Sequence, residues 1–191
     1  MIVVVFIVLG LVIIAIGYII LIYNRLVNLK HETAKAWSNI DVLLKQRHDE
    51  LPKLVETCKQ YMRHEKETLD AVMRARSSLF SAREHQDLRA LGNAEGQLRQ
   101  GLMQLFAAVE AYPDLKASAA FRSLEARITS LENAISDRRE FYNECVNTNN
   151  IRLEEFPDLL IARFFGFESF DLLEFADEET ANVDLRDLFG A

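Results

Sequence analysis

The hydrophobic pattern of the chain changes abruptly near residue 23. Residues 2–22 form an unbroken apolar run without a charged side chain, whereas charged residues recur throughout the sequence that follows. As a helix, this run is roughly 31 Å long, which matches the hydrocarbon thickness of a bilayer. A cleaved leader would have a basic start, a shorter apolar core and a small-residue cleavage site, and the run has none of these. We therefore expect a retained transmembrane anchor that contacts the lipid bilayer through residues 2–22.

Beyond the anchor, apolar residues recur at alternating spacings of three and four, which predicts a long amphipathic helix over residues 24–82. Pro52 lies inside this stretch. Because proline removes a backbone donor and its ring clashes with the preceding turn, we expect it to kink or split the helix. The predicted buried seam consists of Trp37, Ile40, Leu44, Leu51, Leu54, Cys58, Tyr61, Leu69, Val72 and Leu79.

Two further long helices follow in the sequence. Asp87 is the predicted N-cap of the second helix, which should end at Tyr112-Pro113 because the residue before proline is pushed out of helical conformation. Ser118 is predicted to open the third helix, which ends near Phe156-Pro157. A short apolar segment, residues 159–165, comes next.

Short connections between long amphipathic helices favour antiparallel neighbours. Only three prolines and seven glycines occur in the 191 residues, and strand patterns are nearly absent. The predicted fold is therefore all-α, with an N-terminal transmembrane helix followed by an antiparallel up-and-down helical bundle. We expect an anchor at residues 1–23, a helical-bundle domain at residues 24–165 and an acidic C-terminal tail at residues 166–191.

The net charge of −7 lies in the tail. Residues 166–191 contain eight acidic side chains and one basic one, whereas the rest of the chain balances 21 basic against 21 acidic side chains. A neutral body lacks the basic surface that nucleic acids require, so no nucleic-acid partner is expected. In the tail, acidic residues alternate with large apolar ones. It therefore docks on a partner, folds back onto its own bundle or stays solvated.

Charge and cysteine usage bear on location. No Lys or Arg precedes the apolar run, whereas Arg25, Lys30 and Lys35 follow it closely, so the positive-inside rule places the body in the cytoplasm. Cys58 and Cys145 form no CxxC motif and suit a reducing compartment. Cys58 lies on the apolar seam, which favours a core residue over a nucleophile.

Several charged residues fall on the buried stripe when the three-four pattern is continued. Burying such groups without partners is costly, so they should be paired or reach the surface. Antiparallel counting from a turn near residue 86 brings Glu95 opposite Arg76, and the next turn brings Arg138 to a similar height. We predict a buried ionic layer of these three residues, which either fixes helix register or holds an anion. The full set on the stripe is Arg47, Glu65, Arg76, Glu95 and Arg138.

Catalytic and metal-binding patterns are missing from the sequence. The histidines do not share one helix face, and His64-Glu65 lacks the second histidine of a zinc-protease motif. The chain also has no glycine-rich phosphate loop and no serine in a nucleophile-elbow setting. We therefore expect no enzyme activity, no metal and no cofactor. The four histidines are His31, His48, His64 and His85.

A series of short motifs runs in fixed order through the chain from about residue 18 to 167. They are Tyr23-Asn24-x-Leu26-Val27, Ala36-Trp37-Ser38-x-Ile40-Asp41-Val42-x-Leu44, Arg47-x-Asp49-x-x-Pro52-x-Leu54-Val55, Glu65, Ala75-Arg76, Glu110-x-Tyr112-Pro113-x-Leu115-Lys116, Glu132, Arg138, Tyr142-Asn143-x-x-Val146, Asn150 and Phe156-Pro157. In order and spacing this series resembles the LemA family of bacterial membrane-anchored helical proteins. Asn149-Asn150 stands where the family pattern has a second Tyr-Asn pair.

The resemblance implies the same architecture, with one membrane helix and an antiparallel bundle assigned to the cytoplasm. It thus implies a single-pass protein of the bacterial inner membrane, with no known reaction or cofactor. Some relatives act in organising internal bacterial membranes. The polar positions that the resemblance carries over, without a role, are Arg47, Asp49, Glu65, Glu110, Tyr112, Tyr142 and Asn143.

Two functions follow as hypotheses. In the first, the chain is a membrane-anchored scaffold or adaptor for other membrane proteins or for copies of itself. The alternative is a small-ligand or anion sensor that uses the Arg76, Glu95 and Arg138 layer.

Overall fold

A computed structural model of the chain describes residues 1–85 and 87–174. These residues contain helices and no strand, which confirms the predicted all-α class. The helices are α1 (Ile2–Lys59), α2 (Lys66–Glu84), α3 (Leu88–Val109), α4 (Pro113–Ala117), α5 (Ala119–Glu154) and α6 (Asp158–Phe165).

α1 is a single helix of 58 residues that contains both the apolar run and the first charged segment. Over the described residues it is the one helix long and apolar enough to cross a membrane, and the side chains of its most apolar stretch are exposed. Ile22 is the first buried residue of α1, at 6% exposure, whereas its neighbour Leu21 is 68% exposed. Burial along α1 therefore begins at Ile22.

Pro52 does not split the helix, so one of its two expected effects is wrong. α1 runs through Pro52 and ends at Lys59, and the chain turns over residues 60–65 instead. In this turn the amides of Tyr61 and Met62 both donate to the carbonyl of Cys58, at 3.0 and 2.8 Å. Met62 is 1% exposed, so the turn is anchored by a buried side chain rather than by proline or glycine.

The predicted helix starts are confirmed. The Asp87 side chain accepts a 2.9 Å hydrogen bond from the amide of Ala90 at the start of α3. Ser118 Oγ accepts from the Phe121 amide at 3.5 Å as α5 begins. α3 itself ends at Val109, earlier than predicted, because the next three amides bond three residues back and tighten the chain before Pro113.

The chain divides into two compact units. Unit 1 comprises residues 1–42 and 136–172, and unit 2 comprises residues 43–135 together with residues 173 and 174. Both α1 and α5 are cut by this division. The anchor, bundle and tail boundaries at residues 23 and 165 stay predictions.

Unit 2 contains a helical bundle. Its helices are the second part of α1 (residues 43–59), the whole of α2 and α3, and the first part of α5 (residues 119–135). α2 and α3 form an antiparallel hairpin with extensive contact. Gly101 permits this closeness, since a Cβ there would lie 3.3 Å from Cγ2 of Val72. The core is lined by apolar seam residues such as Leu54, Leu98 and Ile128, each at most 1% exposed.

In unit 1, residues 167–172 follow α6 without helical structure and fold back onto α5. We call this segment the strap. Asn150 Nδ2 donates to the carbonyl of Phe170 at 2.9 Å, and the amide of Phe170 donates to Asn150 Oδ1 at 3.0 Å. The Tyr142 hydroxyl donates to the carbonyl of Asp171 at 3.0 Å. Of the three alternatives for the tail, its first residues thus fold back, and residues 175–191 lie outside the described part.

Candidate functional site: a buried ionic cluster

Three charged side chains from three helices meet inside unit 2. Arg47 of α1 donates from Nη2 to Oε1 of Glu95 on α3, and from Nη1 to Oε1 of Glu132 on α5 at 2.7 Å. Arg47 is 1% exposed, Glu95 5% and Glu132 21%. We call this set the buried ionic cluster.

Helical periodicity places these residues in the core. Arg47 lies between Leu44 and Leu51 at spacings of three and four, so its side chain shares their buried face. Glu95 occupies the same kind of position between Leu91 and Leu98. The cluster is therefore a polar insertion in an otherwise apolar seam.

The pKa directions reflect burial and mutual attraction. Burial opposes the charge of Arg47, but the attraction and hydrogen bonds of Glu95 and Glu132 outweigh it, so the pKa of Arg47 is raised above its ordinary value. Burial raises the pKa of Glu95, and the neighbouring carboxylate of Glu132 adds to this rise against the lowering effect of Arg47. The single guanidinium of Arg47 thus forms ion pairs with two carboxylates.

The predicted layer of Arg76, Glu95 and Arg138 needs correction. Glu95 is buried as expected, but its ion-pair partner is Arg47, while Arg76 hydrogen-bonds to His48 and Arg138 is exposed. Counting along a hairpin estimates the height of a residue in the bundle and not the direction in which its side chain points. Because Arg47 was also on the predicted stripe, its burial between leucines was the available signal for the true pairing.

Glu50 forms a second ionic contact one turn beyond Arg47. Its Oε1 accepts from Arg127 Nη1 at 2.8 Å and from Lys53 Nζ at 3.1 Å. Burial alone would raise the pKa of Glu50, but the hydrogen bonds from Lys53 and Arg127 lower it below its ordinary value. Glu50 is therefore held as a carboxylate between α1 and α5.

Arg76 occupies the position where Pro52 interrupts the hydrogen bonding of α1. In a regular helix the carbonyl of His48 would accept from the amide of residue 52, and proline has no such amide. Arg76 Nε donates to this carbonyl at 2.9 Å. The side chain of α2 thus replaces the missing donor of α1, which is how α1 continues through Pro52.

The same arginine fixes the His48 ring. Arg76 Nη2 lies 2.7 Å from His48 Nε2, and because arginine can only donate, His48 Nε2 must accept and carry no proton. The ring also stacks beside Phe80, with centroids 4.9 Å apart. The pKa of His48 is lowered by burial and by the charges of Arg76 and Arg83, against a raising effect of Asp49.

The remaining family positions lie in separate places. In unit 2, the Tyr112 hydroxyl donates to Glu65 Oε1 at 3.4 Å, and the pKa of Tyr112 is raised by burial and by this carboxylate. Glu110 pairs with Lys116 on the surface, and Asp49 is exposed. In unit 1, the Tyr142 ring packs 5.7 Å from that of Trp37 and its hydroxyl contacts the strap, while Asn143 is half-buried.

The buried ionic cluster has the properties of a structural element. Arginine does not titrate in the useful range, so an Arg–Glu pair is poorly suited to acid–base chemistry. Both Nη atoms of Arg47 already bind carboxylates, and an anion would have to displace one of them. Within residues 1–85 and 87–174, His, Cys, Asp and Glu side chains form no group of three suited to a metal ion.

Comparison with known proteins agrees with the architecture. The chain is 31% identical over 80 residues to the magnetosome proteins MamQ 1 and MamQ 2 of Paramagnetospirillum magneticum, and 28% identical over 80 residues to magnetosome protein MamQ of Magnetospirillum gryphiswaldense. Each match covers 42% of this chain and 29% of the relative, so the chain spans less than a third of the relatives' length. The LemA family matches residues 36–186, which is well over half of the sequence. On this match, the chain belongs to the LemA family.

Proposed function

We propose that the chain is a non-catalytic, membrane-anchored scaffold or adaptor, which presents its helical bundle to other membrane proteins or to copies of itself. The observation that carries this proposal is the construction of α1. Its first part exposes large apolar side chains from residues 2–21, and the same helix enters the packed core at Ile22. A long apolar stretch of this kind is stable in a bilayer and unfavourable in water.

The closed character of the polar core supports a role without chemistry. Arg47 forms ion pairs with both Glu95 and Glu132, and we infer that this network fixes the register of the helices. The alternative, an anion sensor at a charged layer, gains no support from this geometry because Arg76 and Glu95 bind His48 and Arg47 and not each other. The MamQ relatives are magnetosome proteins by name, which is compatible with a role at a membrane compartment.

We place the anchor in the bacterial inner membrane with the body in the cytoplasm. The cations that follow the apolar run, Arg25, Lys30 and Lys35, are all exposed on α1 and would remain on the cytoplasmic side. Labelling of an engineered surface cysteine in intact cells, such as Ser77→Cys in a background without Cys58 and Cys145, tests this orientation. Protection from an impermeant maleimide until the cells are lysed is expected, and labelling of intact cells would refute it.

The scaffold proposal is tested by purifying the full-length protein from native membranes in mild detergent after crosslinking, beside a version that ends after Glu174. This shorter version keeps the strap and removes residues 175–191. A defined partner lost with those residues would identify an adaptor, and identical homo-oligomers from both versions would identify a self-assembling scaffold. Recovery of uncrosslinked monomer alone from both would overturn the proposal.

A further inference from the structure

α6 lies against the point where the apolar run of α1 ends. Ile22 and Leu26 of α1 form a buried cluster with Ala162 of α6. The rings of Tyr23 and Phe165 are 4.8 Å apart. α6 is therefore fixed beside the boundary between the exposed apolar stretch of α1 and its charged continuation.

The C-terminal end of α6 holds the helix in this orientation. Gly166 closes the helix with φ of 70°, a left-handed conformation that favours glycine, and the amide of Phe167 then donates to the carbonyl of Ala162 at 2.9 Å. Phe167 packs against the cluster around Ile22. Beyond it, Asn150 binds the strap through two hydrogen bonds to the backbone of Phe170.

α6 also carries large apolar side chains that are exposed. Leu160 and Phe164, one helical turn apart, are 57% and 81% exposed. Phe165 is 50% exposed, and Phe156, just before the helix, is 79% exposed. We call these four residues the α6 apolar face. Large aromatic side chains so fully exposed are unfavourable in water, so this face calls for an apolar or interfacial environment.

We propose that the α6 apolar face inserts into the interfacial region of the same bilayer that α1 crosses, so that the chain contacts lipid at two adjacent places. The inference rests on the proposed membrane anchoring of α1 and adds a second lipid-binding element to it. Aromatic side chains favour the headgroup level of a bilayer, and short helices with one apolar face lie in that plane. The exposed Arg25 and Arg163 would then reach lipid phosphates.

A bilayer fits this face better than a second copy of the chain. The three exposed phenylalanines present roughly 400 Å² of surface, judged from the 150–250 Å² of an aromatic side chain. A stable protein interface buries about 800 Å² on each partner, so this face alone is too small. The bilayer of the proposed anchor, in contrast, would be next to it, because the exposed apolar part of α1 ends at Leu21 and Tyr23 contacts Phe165.

The experiment uses the full-length protein in nanodiscs that contain brominated phospholipids, which quench nearby indole fluorescence. Trp37 is the single tryptophan of the chain, so Trp37→Phe gives a silent background. Phe164→Trp in this background reports on the α6 apolar face, and Leu11→Trp reports on the anchor. Phe141→Trp is the matched control, since Phe141 is 48% exposed on α5 but lies about 18 Å along that helix from Leu153, which packs beside Ile22.

The Phe164→Trp indole is expected to emit at shorter wavelength and to lose most of its intensity with bromines near the headgroups, whereas Phe141→Trp keeps its intensity. If Leu11→Trp is quenched by deep bromines while Phe164→Trp is not quenched at all, the inference is overturned and the anchor stands. If neither is quenched, both proposals fail. Blue-shifted emission of Phe164→Trp that depends on protein density and not on bromine would instead identify contact between copies and overturn the inference.

Discussion

Arg76 of α2 donates from Nε to the backbone carbonyl of His48 on α1 at 2.9 Å, and this is the carbonyl that Pro52 leaves without its helical partner. A proline inside a helix removes one hydrogen bond, and the freed carbonyl is costly if buried. Here a side chain from the neighbouring helix supplies the donor. The continuity of α1 through Pro52 thus depends on two helices together.

This relationship predicts energetic coupling between Arg76 and Pro52. Arg76→Met should destabilise the protein by about 1–3 kcal/mol, because it leaves the carbonyl of His48 unsatisfied. In a Pro52→Ala background the same substitution should cost less, since the new amide of residue 52 can bond to that carbonyl. Denaturant unfolding of the four proteins in detergent measures the cycle. Arg74→Met, on an exposed position of α2, is the control, and equal costs of Arg76→Met in both backgrounds would contradict the relationship.

The buried ionic cluster predicts a large asymmetry between single and double substitutions. Arg47→Met should cost about 3–5 kcal/mol, because Glu95 is then buried without a counter-ion. Arg47→Met combined with Glu95→Leu should recover much of this loss, since both charges leave the core together. Unfolding free energies measure both effects. Lys116→Ala, which breaks the exposed pair with Glu110, should change stability by less than about 1 kcal/mol and serves as the reference. A double variant no more stable than Arg47→Met would be inconsistent with the pairing.

The lowered pKa of His48 predicts that the protein loses stability on mild acidification. Its pKa is lowered in the folded protein by burial and the charges of Arg76 and Arg83, so the unfolded chain binds the proton more readily. The contribution of His48 is present above the ordinary histidine value of 6.5 and is lost as the pH falls through the lower folded value. His48→Gln should flatten this part of the pH–stability profile. An unchanged slope in the variant would assign the effect to other groups.

Cys58 should be unreactive in the folded protein. Burial raises the pKa of its thiol from 9.0 to about 11, so little thiolate forms at pH 9.0. The neutral thiol stabilises the fold below pH 9.0, and this contribution is lost as the pH rises toward 11. Alkylation with iodoacetamide followed by peptide mass spectrometry should label Cys58 far more slowly in the native than in the urea-unfolded chain. Equal rates in both states would contradict the buried environment, and the half-buried Cys145 gives an internal comparison.

The strap should loosen when its hydrogen bonds are removed. Asn150→Ala deletes both bonds to the backbone of Phe170, and each typically contributes about 0.5–1.5 kcal/mol. Hydrogen exchange of peptides covering residues 167–172 should therefore accelerate, with unchanged exchange in unit 2. Asn147→Ala, on an exposed position of α5, is the matched control. Protection of the strap in Asn150→Ala equal to that in the control would show that other contacts hold it.

The sequence predicted the features that depend on neighbouring residues. The caps at Asp87 and Ser118 are confirmed because a cap is formed by a side chain and the next turn of its own helix. The expected split at Pro52 was wrong because Arg76 of α2 replaces the hydrogen bond that proline removes, and the local sequence pattern of α1 does not contain this contact. The turn over residues 60–65 was missed for a related reason, since a buried Met62 anchors it without proline or glycine.

The candidate site was predicted in part. Periodicity placed Arg47, Arg76 and Glu95 on the buried stripe, and Glu95 is indeed buried and paired. The choice between the two arginines depends on the angle of each side chain around its helix axis, and this angle is fixed only when all helices are packed. The sequence did not decide among the three alternatives for the tail, and the reason is different. The hydrogen bonds that hold the strap run from Asn150 to the distant backbone of Phe170, and such bonds leave no periodic pattern in the sequence.

Because α1 is continuous at Ile22, the rotation of its exposed apolar stretch about the helix axis is fixed by the packing of the residues that follow. From residue 18 to residue 42 the helix has no glycine or proline at which it could swivel, and each residue turns it by about 100°. The direction in which each side chain of the exposed apolar stretch points is thereby fixed relative to the face that buries Leu26 and Ile40. If a foreign apolar segment were joined to α1 with its sequence shifted by one residue, its side chains would be rotated by about 100° relative to the buried face. Such a segment could therefore replace residues 2–21 only if its helical phase were kept.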